Sequence, residues 1–284
     1  MAGSTLTLKP KKKRLGKTLL VIWASVFLIV AIFPYIYMVL QSLAPWDQVD
    51  KVVFPSEFTL RSFDFLLTGG NTGMPRPWLN AFANSIIVSL TTTLLSLGLA
   101  MLLGYAITKL RFRGSKLVNN FILFQMFFPA VILLVPTFMV SKFLGMNNTY
   151  FGMIIPKIIS AWAIFMYVNF YRTIPDEVLE AARMDGASEW QVVFRIVFPM
   201  TKSITTILFL FLFMERWGEL LWDMIIVKSE NLMTLNVLLA TMKGPYGSFP
   251  GPLYAGAVLL TVPILILFII FSKNFSEGMN YVTK

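Results

Sequence analysis

Glu215, Glu219 and Asp223 fall at i, i+4 and i+8 within "FLFMERWGELLWDM". On a helix, that spacing lays three carboxylates along one face, and Arg216 reaches Glu219 at i+3. Carboxylates accept hydrogen bonds from hydroxyls, and Trp217 and Trp222 offer flat faces for a sugar ring. These six residues are a candidate pathway for a polyhydroxylated solute. A salt bridge at a subunit interface, with the helix end among lipid headgroups, accounts for the same residues. A tryptophan near a membrane edge is commonly an anchor rather than a platform.

A second charged group lies upstream, in "PDEVLEAARMDGASEWQVVFRIVFP". Asp176, Glu177, Glu180, Asp185 and Glu189 outnumber Arg183 and Arg195 there. Pro175 suits a first helical turn, and Asp176 and Glu177 favour its positive dipole end. The helix stops at Gly186, a natural left-handed cap. Ser188 and Gln191 then form a capping box for a second helix. Trp190, Val193, Phe194 and Val197 should form its apolar stripe, and Pro199 should close it. Interfacial helices are rich in Lys and Arg, so this acidic pair fits a protein partner better than anionic lipid.

Other chemistries are excluded by what the chain lacks. Its 284 residues contain no Cys and no His. A Cys/His metal site, a thiol nucleophile and a histidine base are therefore absent. A phosphate-binding loop needs Gly, four residues, then Gly-Lys-Ser/Thr. Gly16-Lys17-Thr18 supplies the end of that pattern, but Lys11 stands where its first glycine belongs, so the chain cannot hydrolyse ATP itself.

The elements that carry both clusters must be membrane helices. Hydrophobic residues make up 57% of the chain and charged residues 13%, and several apolar runs exceed the ~18 residues that mark a span. Six spans are expected, at about 18–41, 78–108, 117–141, 151–171, 203–222 and 253–272. The first is too long for a signal-peptide core and lacks a small-residue cleavage site, so it reads as retained. Domain boundaries follow: a basic N-terminus at 1–17, one transmembrane domain at 18–273 and a tail at 274–284, with a loop at 172–202. Pro34, Pro129, Pro136, Pro156 and Pro263 mark kinks or unwound segments. Lys157, near the end of span four, suits a snorkelling position.

An even number of spans puts both termini on one side. That side carries about sixteen of the 24 Lys and Arg and the other about seven, which makes the termini and the 172–202 loop cytoplasmic. The net charge of +10 reflects this bias rather than nucleic-acid binding. The long outer loop, 42–77, is either a docking surface or an ordered lid.

Glu180-Ala181-Ala182, then Gly186, Ile196 and Pro199, resembles the EAA–G–I–LP signature of bacterial ABC-importer permeases, with Phe198 where Leu is usual. "NSIIVSLTTTLLSLGLAMLLGYAITKLRFRGSK" and "FFPAVILLVPTFMVSKFLGMNNTYFGMIIP" extend the resemblance to the MalG-type branch that takes up carbohydrate and oligosaccharide. The ending "NFSEGMNYVTK" is atypical, and nothing is carried over for it. The resemblance implies an all-α, type I importer fold in the bacterial inner membrane. It implies a coupling helix in which Glu180, Ala181, Ala182, Arg183, Asp185, Gly186, Ile196 and Pro199 meet a cytosolic ATPase dimer. It also implies a second, MalF-like permease and an extracellular solute-binding protein, with ATP and Mg on the ATPase and no cofactor on this chain.

Three alternatives follow from the same residues. A permease of this type could carry a non-carbohydrate solute. An ion-driven transporter would place acids deep in several spans, whereas here they concentrate in one span and one loop. An intramembrane enzyme would need a facing Ser/Lys or Asp pair, and none is evident.

Overall fold

The computed structural model describes residues 12–69, 77–110, 112–244, 247–248 and 250–282. Most of the basic N-terminus (1–11), the Gly-rich end of the outer loop (70–76) and the last two residues lie outside them. The fold is helical throughout, apart from an antiparallel pairing of Lys243–Gly244 with Gly247–Ser248.

Helix α1 (Lys12–Ser42) is apolar on all sides and packs along α14 (Pro250–Val282). Its exposed run from Leu19 to Val39 marks a surface turned to lipid or another subunit, since apolar surface this large is not left to water. Helix α2 (Arg61–Thr68) packs on α14 and, more lightly, on α3 (Trp78–Tyr105). Helix α14 runs on to Val282, through most of the segment expected to be a tail.

Helix α3 is the axis of the bundle, packed on α7 (Ala161–Arg172) and α11 (Lys202–Trp217). Its buried face carries many small residues, among them Ala81, Ser85, Ser89, Thr93, Ala100 and Gly104. Lipid gives apolar side chains no reason to leave it, so membrane helices associate through such small-residue stripes that let backbones approach. Gly104 is the closest approach. A Cβ there would lie 2.8 Å from the Tyr167 Cβ. Tyr167 and Tyr171 of α7 are fully buried against this face. The Tyr171 hydroxyl donates to the Met101 carbonyl at 3.3 Å.

Among the described residues, three helices are single rods long and apolar enough to cross a bilayer: those within 16–42, 78–110 and 250–271. The other expected segments are bent. The third is α4 (Ser115–Met126) and α5 (Ala130–Phe143), meeting at 109°. Pro129, extended at ψ 125°, ends one helix and opens the next. The fourth is α6 (Tyr150–Ile154), a tight turn Ile155–Lys157 containing Pro156, and α7, bent by 41°. Ser160 restarts that helix by accepting from the Ala163 N–H at 3.2 Å. Pro34, Pro136 and Pro263 sit inside continuous helices, so two of the five prolines mark breaks.

The expected fifth segment also divides. Helix α11 stops at Trp217, and after Gly218–Leu220 the chain resumes as α12 (Leu221–Ile226). Helix α13 (Leu235–Ala240) then returns the chain to the first half of α3. The described part of the outer loop is ordered. Gln41 donates to the Val52 carbonyl at 2.8 Å and accepts from the Asp50 N–H at 2.9 Å. The Asp50 carboxylate accepts from Tyr254 at 2.6 Å and Tyr37 at 3.1 Å.

Candidate functional site

The segment between α7 and α11 is a helical hairpin. Helix α8 (Asp176–Met184) starts at Pro175 and turns the buried Leu179 toward the bundle. It ends in a two-bond left-handed cap. Gly186 N–H donates to Arg183 O and Ala187 N–H to Ala182 O, both at 3.0 Å. Gly186 carries φ +84°, in the region where a Cβ is strained, with open space around it. The backbone conformation, not crowding, requires glycine there.

Helix α9 (Glu189–Gln191) opens with the reciprocal Ser188/Gln191 capping box. Beyond it the chain departs from the expected regular helix. Val192–Val197 form a wide π turn, which runs into α10 (Phe198–Met200). Pro199 therefore does not close the helix. It lies in the first turn of α10, where its missing N–H has no intrahelical role, and the chain bends by 79° at the buried Thr201 instead. The π turn also shifts the helical phase, which splits the expected apolar stripe. Val193 and Val197 face the core, while Trp190 and Phe194 are exposed and stacked on each other at 5.9 Å.

Two polar anchors hold the hairpin to the end of α3. Lys109 lies in the π-helical turn Ala106–Leu110 that extends α3. Its side chain is 6% exposed, and its ammonium donates to the Ile174 carbonyl at 2.6 Å and to Asp176 at 2.7 Å. Further out, Arg183 Nε donates to Glu189 at 2.7 Å, clamping α8 to α9 across the turn. Tyr105 donates to the same Glu189 carboxylate at 2.6 Å. The Arg183 guanidinium and then the Tyr105 hydroxyl hold the Glu189 carboxyl below its ordinary range.

The expected coupling residues therefore divide by position. Glu180, Ala181, Asp185 and Gly186 are exposed at the tip, beside Met184 at 88% exposure. Ala182 and Ile196 pack on the core, and Pro199 is exposed. Arg183 is bound within the hairpin. Sequence reasoning missed the anchors Lys109 and Tyr105 and counted Glu189 only as surface charge. A lysine and a tyrosine at the end of α3, on the same side as the acidic loop, were the available signal.

The second group is not the stripe expected from i, i+4, i+8 spacing, because the helix ends between its members. Arg216 does not pair with Glu219. Its guanidinium forks onto both oxygens of Asp223 at 2.7 and 3.0 Å and donates to the Met153 carbonyl at 3.2 Å. Both side chains of the pair are at most 5% exposed, and a buried charge requires such a partner. Glu219 accepts from Lys157 at 2.7 Å and from the Trp222 N–H at 3.1 Å. Lys157 is therefore an internal partner rather than a snorkelling one. Trp217 and Trp222 are both buried, their indole N–H groups donating to Leu260 O and Gly152 O at 3.0 Å. Neither presents a free face.

Glu215, Arg216 and Glu219 do line a common cavity of about 360 Å³. It lies where the broken ends of α4 and α11, the turn after α6 and the start of α7 converge on Thr92, Thr93 and Ser96, about halfway along α3. Non-helical backbone at membrane depth is tolerated where it lines such a cavity. Trp162, rather than Trp217 or Trp222, contributes the indole ring.

Comparison with known proteins agrees with this architecture. Residues 96–280 match the family model for the binding-protein-dependent transport system inner membrane component. The chain is 30% identical over 277 residues to the arabinooligosaccharides transport system permease protein AraQ of Halalkalibacterium halodurans, covering 96% of this chain and 98% of that protein. It is 29% identical to the lactose transport system permease protein LacG of Rhizobium radiobacter, over 88% and 89% of the two chains. Its fold superposes with a TM-score of 0.82 on a chain of a bacterial ABC transporter involved in the import of the acidic polysaccharide alginate. That likeness has 22% identity and spans 94% of this chain and 99% of the other. The chain is an integral membrane protein and belongs to the family of binding-protein-dependent transport system inner membrane components.

Proposed function

We propose that the chain is a permease subunit of an ATP-driven importer that admits a sugar or oligosaccharide to the cytoplasm. The observation that carries this reading is the hairpin at 172–202. Its signature residues Glu180, Ala181 and Gly186 stand exposed at the tip, while Lys109 fixes its base and Tyr105 its tip-proximal helix to the axial helix. A rigidly based, exposed tip suits docking on a separate ATPase and passing its motion to the bundle, because packed helices switch between discrete arrangements.

In this account the three rods, the two bent pairs α4–α5 and α6–α7, and α11 with α12 make six spans. Both termini and the hairpin are cytoplasmic, in line with the Lys/Arg bias. Residues 18–273 form the transmembrane domain, preceded by the basic segment 1–17. ATP and Mg are held by a cytosolic ATPase dimer. A second, MalF-like permease completes the pathway, and an extracellular binding protein delivers the solute. The sugar assignment draws on the relatives named for arabinooligosaccharides and lactose.

Affinity purification of the tagged chain from native membranes, followed by mass spectrometry, tests this reading. An ATPase and a second polytopic subunit should accompany it. Recovery of the chain alone, folded and still transporting, would overturn it.

A further inference from the structure

Five buried side-chain polar atoms have no hydrogen-bond partner among the described residues. Four of them, the Thr92, Thr93 and Ser96 hydroxyls and Arg216 Nε, belong to residues that line one cavity. The three hydroxyl residues are at most 3% exposed. A serine or threonine in a membrane helix ordinarily returns its hydrogen bond to its own backbone. Buried polar groups without a partner are unfavourable, so their convergence suits a polar occupant.

The charges around them indicate which occupant. Arg216 is bound by Asp223, and Lys157 is bound by Glu219. Glu215 lines the same cavity and has no ion-pair or hydrogen-bond partner among the described residues. Two cations thus face three acids, leaving one negative charge unmatched. The free groups are hydroxyls that donate or accept, one N–H donor and one carboxylate acceptor. A sugar hydroxyl satisfies each kind, whereas an anionic sugar would be repelled by the Glu215 carboxylate, which lines the cavity and stands exposed on this chain. The volume lies at the lower end of small-molecule sites, ~300–1,000 Å³, and Trp162 and Phe128 give apolar walls.

We infer that Thr92, Thr93, Ser96, Arg216 and Glu215 form a subsite on this chain for a neutral, polyhydroxylated unit, with Glu215 excluding uronates and sugar phosphates. This rests on the permease reading above and adds a site and a selectivity to it.

The chain has no cysteine, so a single introduced thiol reports on the cavity. The S96C chain, assembled with its partners in membrane vesicles, is labelled with a small methanethiosulfonate reagent and followed by mass spectrometry of this chain. T92C is the substitute if S96C fails to assemble. Millimolar arabinotriose or lactose should slow labelling several-fold, while a mannuronate trisaccharide should not. Adding Glu215→Lys should let the mannuronate protect. Equal protection by neutral and acidic sugars would overturn the inference. So would protection by neither neutral sugar, or a thiol that never labels. If the same complex hydrolyses ATP on delivery of solute, those results leave the permease reading standing. A chain that retains no ATPase overturns both.

Discussion

Tyr105 and Glu189, 84 residues apart in sequence, meet through a 2.6 Å hydrogen bond that ties the tip-proximal helix of the hairpin to the last turn of α3. Arg183 closes the triangle from α8, with Nε 2.7 Å from Glu189. A push on the hairpin therefore acts on the axial helix directly, as well as through the covalent chain at Arg172 and Lys202.

The first prediction concerns that link. Tyr105→Phe keeps the ring and removes the hydrogen bond. The complex should assemble and hydrolyse ATP, but move less solute per ATP hydrolysed. A hydrogen bond to a charged group is worth about 1.5–3 kcal/mol, enough to loosen transmission without unfolding the bundle. Unchanged stoichiometry of transport to hydrolysis would show that the bond carries no motion.

The same link should depend on pH in a stated direction. The Glu189 carboxyl lies below its ordinary value of 4.5 in the folded chain. Its contribution is full above that value and is lost as pH falls through the lowered folded value. Amide exchange across 183–192, corrected for intrinsic rates, should stay slow from neutral pH down to the ordinary carboxylate range. It should quicken only below that range. Glu189→Gln should abolish the dependence.

Gly104→Leu tests the packing of α3 on α7. The Cβ alone would fall 2.8 Å from Tyr167 Cβ and 3.2 Å from the Tyr171 ring, and neither helix can yield without moving the buried tyrosines. Overpacking of this kind costs about 1–3 kcal/mol, so the purified complex should melt several degrees lower. Gly98→Leu, where a Cβ meets nothing within 4 Å, should be far milder.

Asp223→Ala should be the most damaging single change near the cavity. It strands Arg216, a buried guanidinium, and breaking such a pair costs about 3–5 kcal/mol. Folded yield in detergent should fall sharply. Arg216→Met combined with Asp223→Leu should recover much of that yield, because the desolvated charges leave together. Transport should not return with it, since Arg216 also lines the cavity.

Much of the hairpin was legible in the sequence because its signals are local. Pro175, Gly186 and the Ser188/Gln191 box each act within a few residues, and each holds its expected place around α8 and α9. The π turn at Val192–Val197 was not legible: nothing in VVFRIV distinguishes it from a regular turn, and it moves Trp190 and Phe194 out of the stripe. The acidic group failed for a different reason. Spacing predicts a shared face only where one helix persists, and α11 ends at Trp217 under a break shaped by tertiary contacts. The pairings Arg216–Asp223 and Lys157–Glu219 are set by which chain ends meet in space, which periodicity does not encode. The hydroxyls of Thr92, Thr93 and Ser96 read as ordinary small residues of a membrane helix until their missing partners were seen.

One introduced thiol reports directly on where the hairpin tip docks. Met184 is 88% exposed at the tip, and the chain is otherwise free of cysteine. A short thiol-to-amine crosslinker applied to the M184C chain in native membranes should join it to a nucleotide-binding ATPase subunit. ATP binding should change the yield. The same crosslinker on F54C, in the loop assigned to the opposite side, should give no such product. A crosslink from F54C to the ATPase, or none from M184C in a complex that still transports, would contradict the docking of this hairpin on the ATPase.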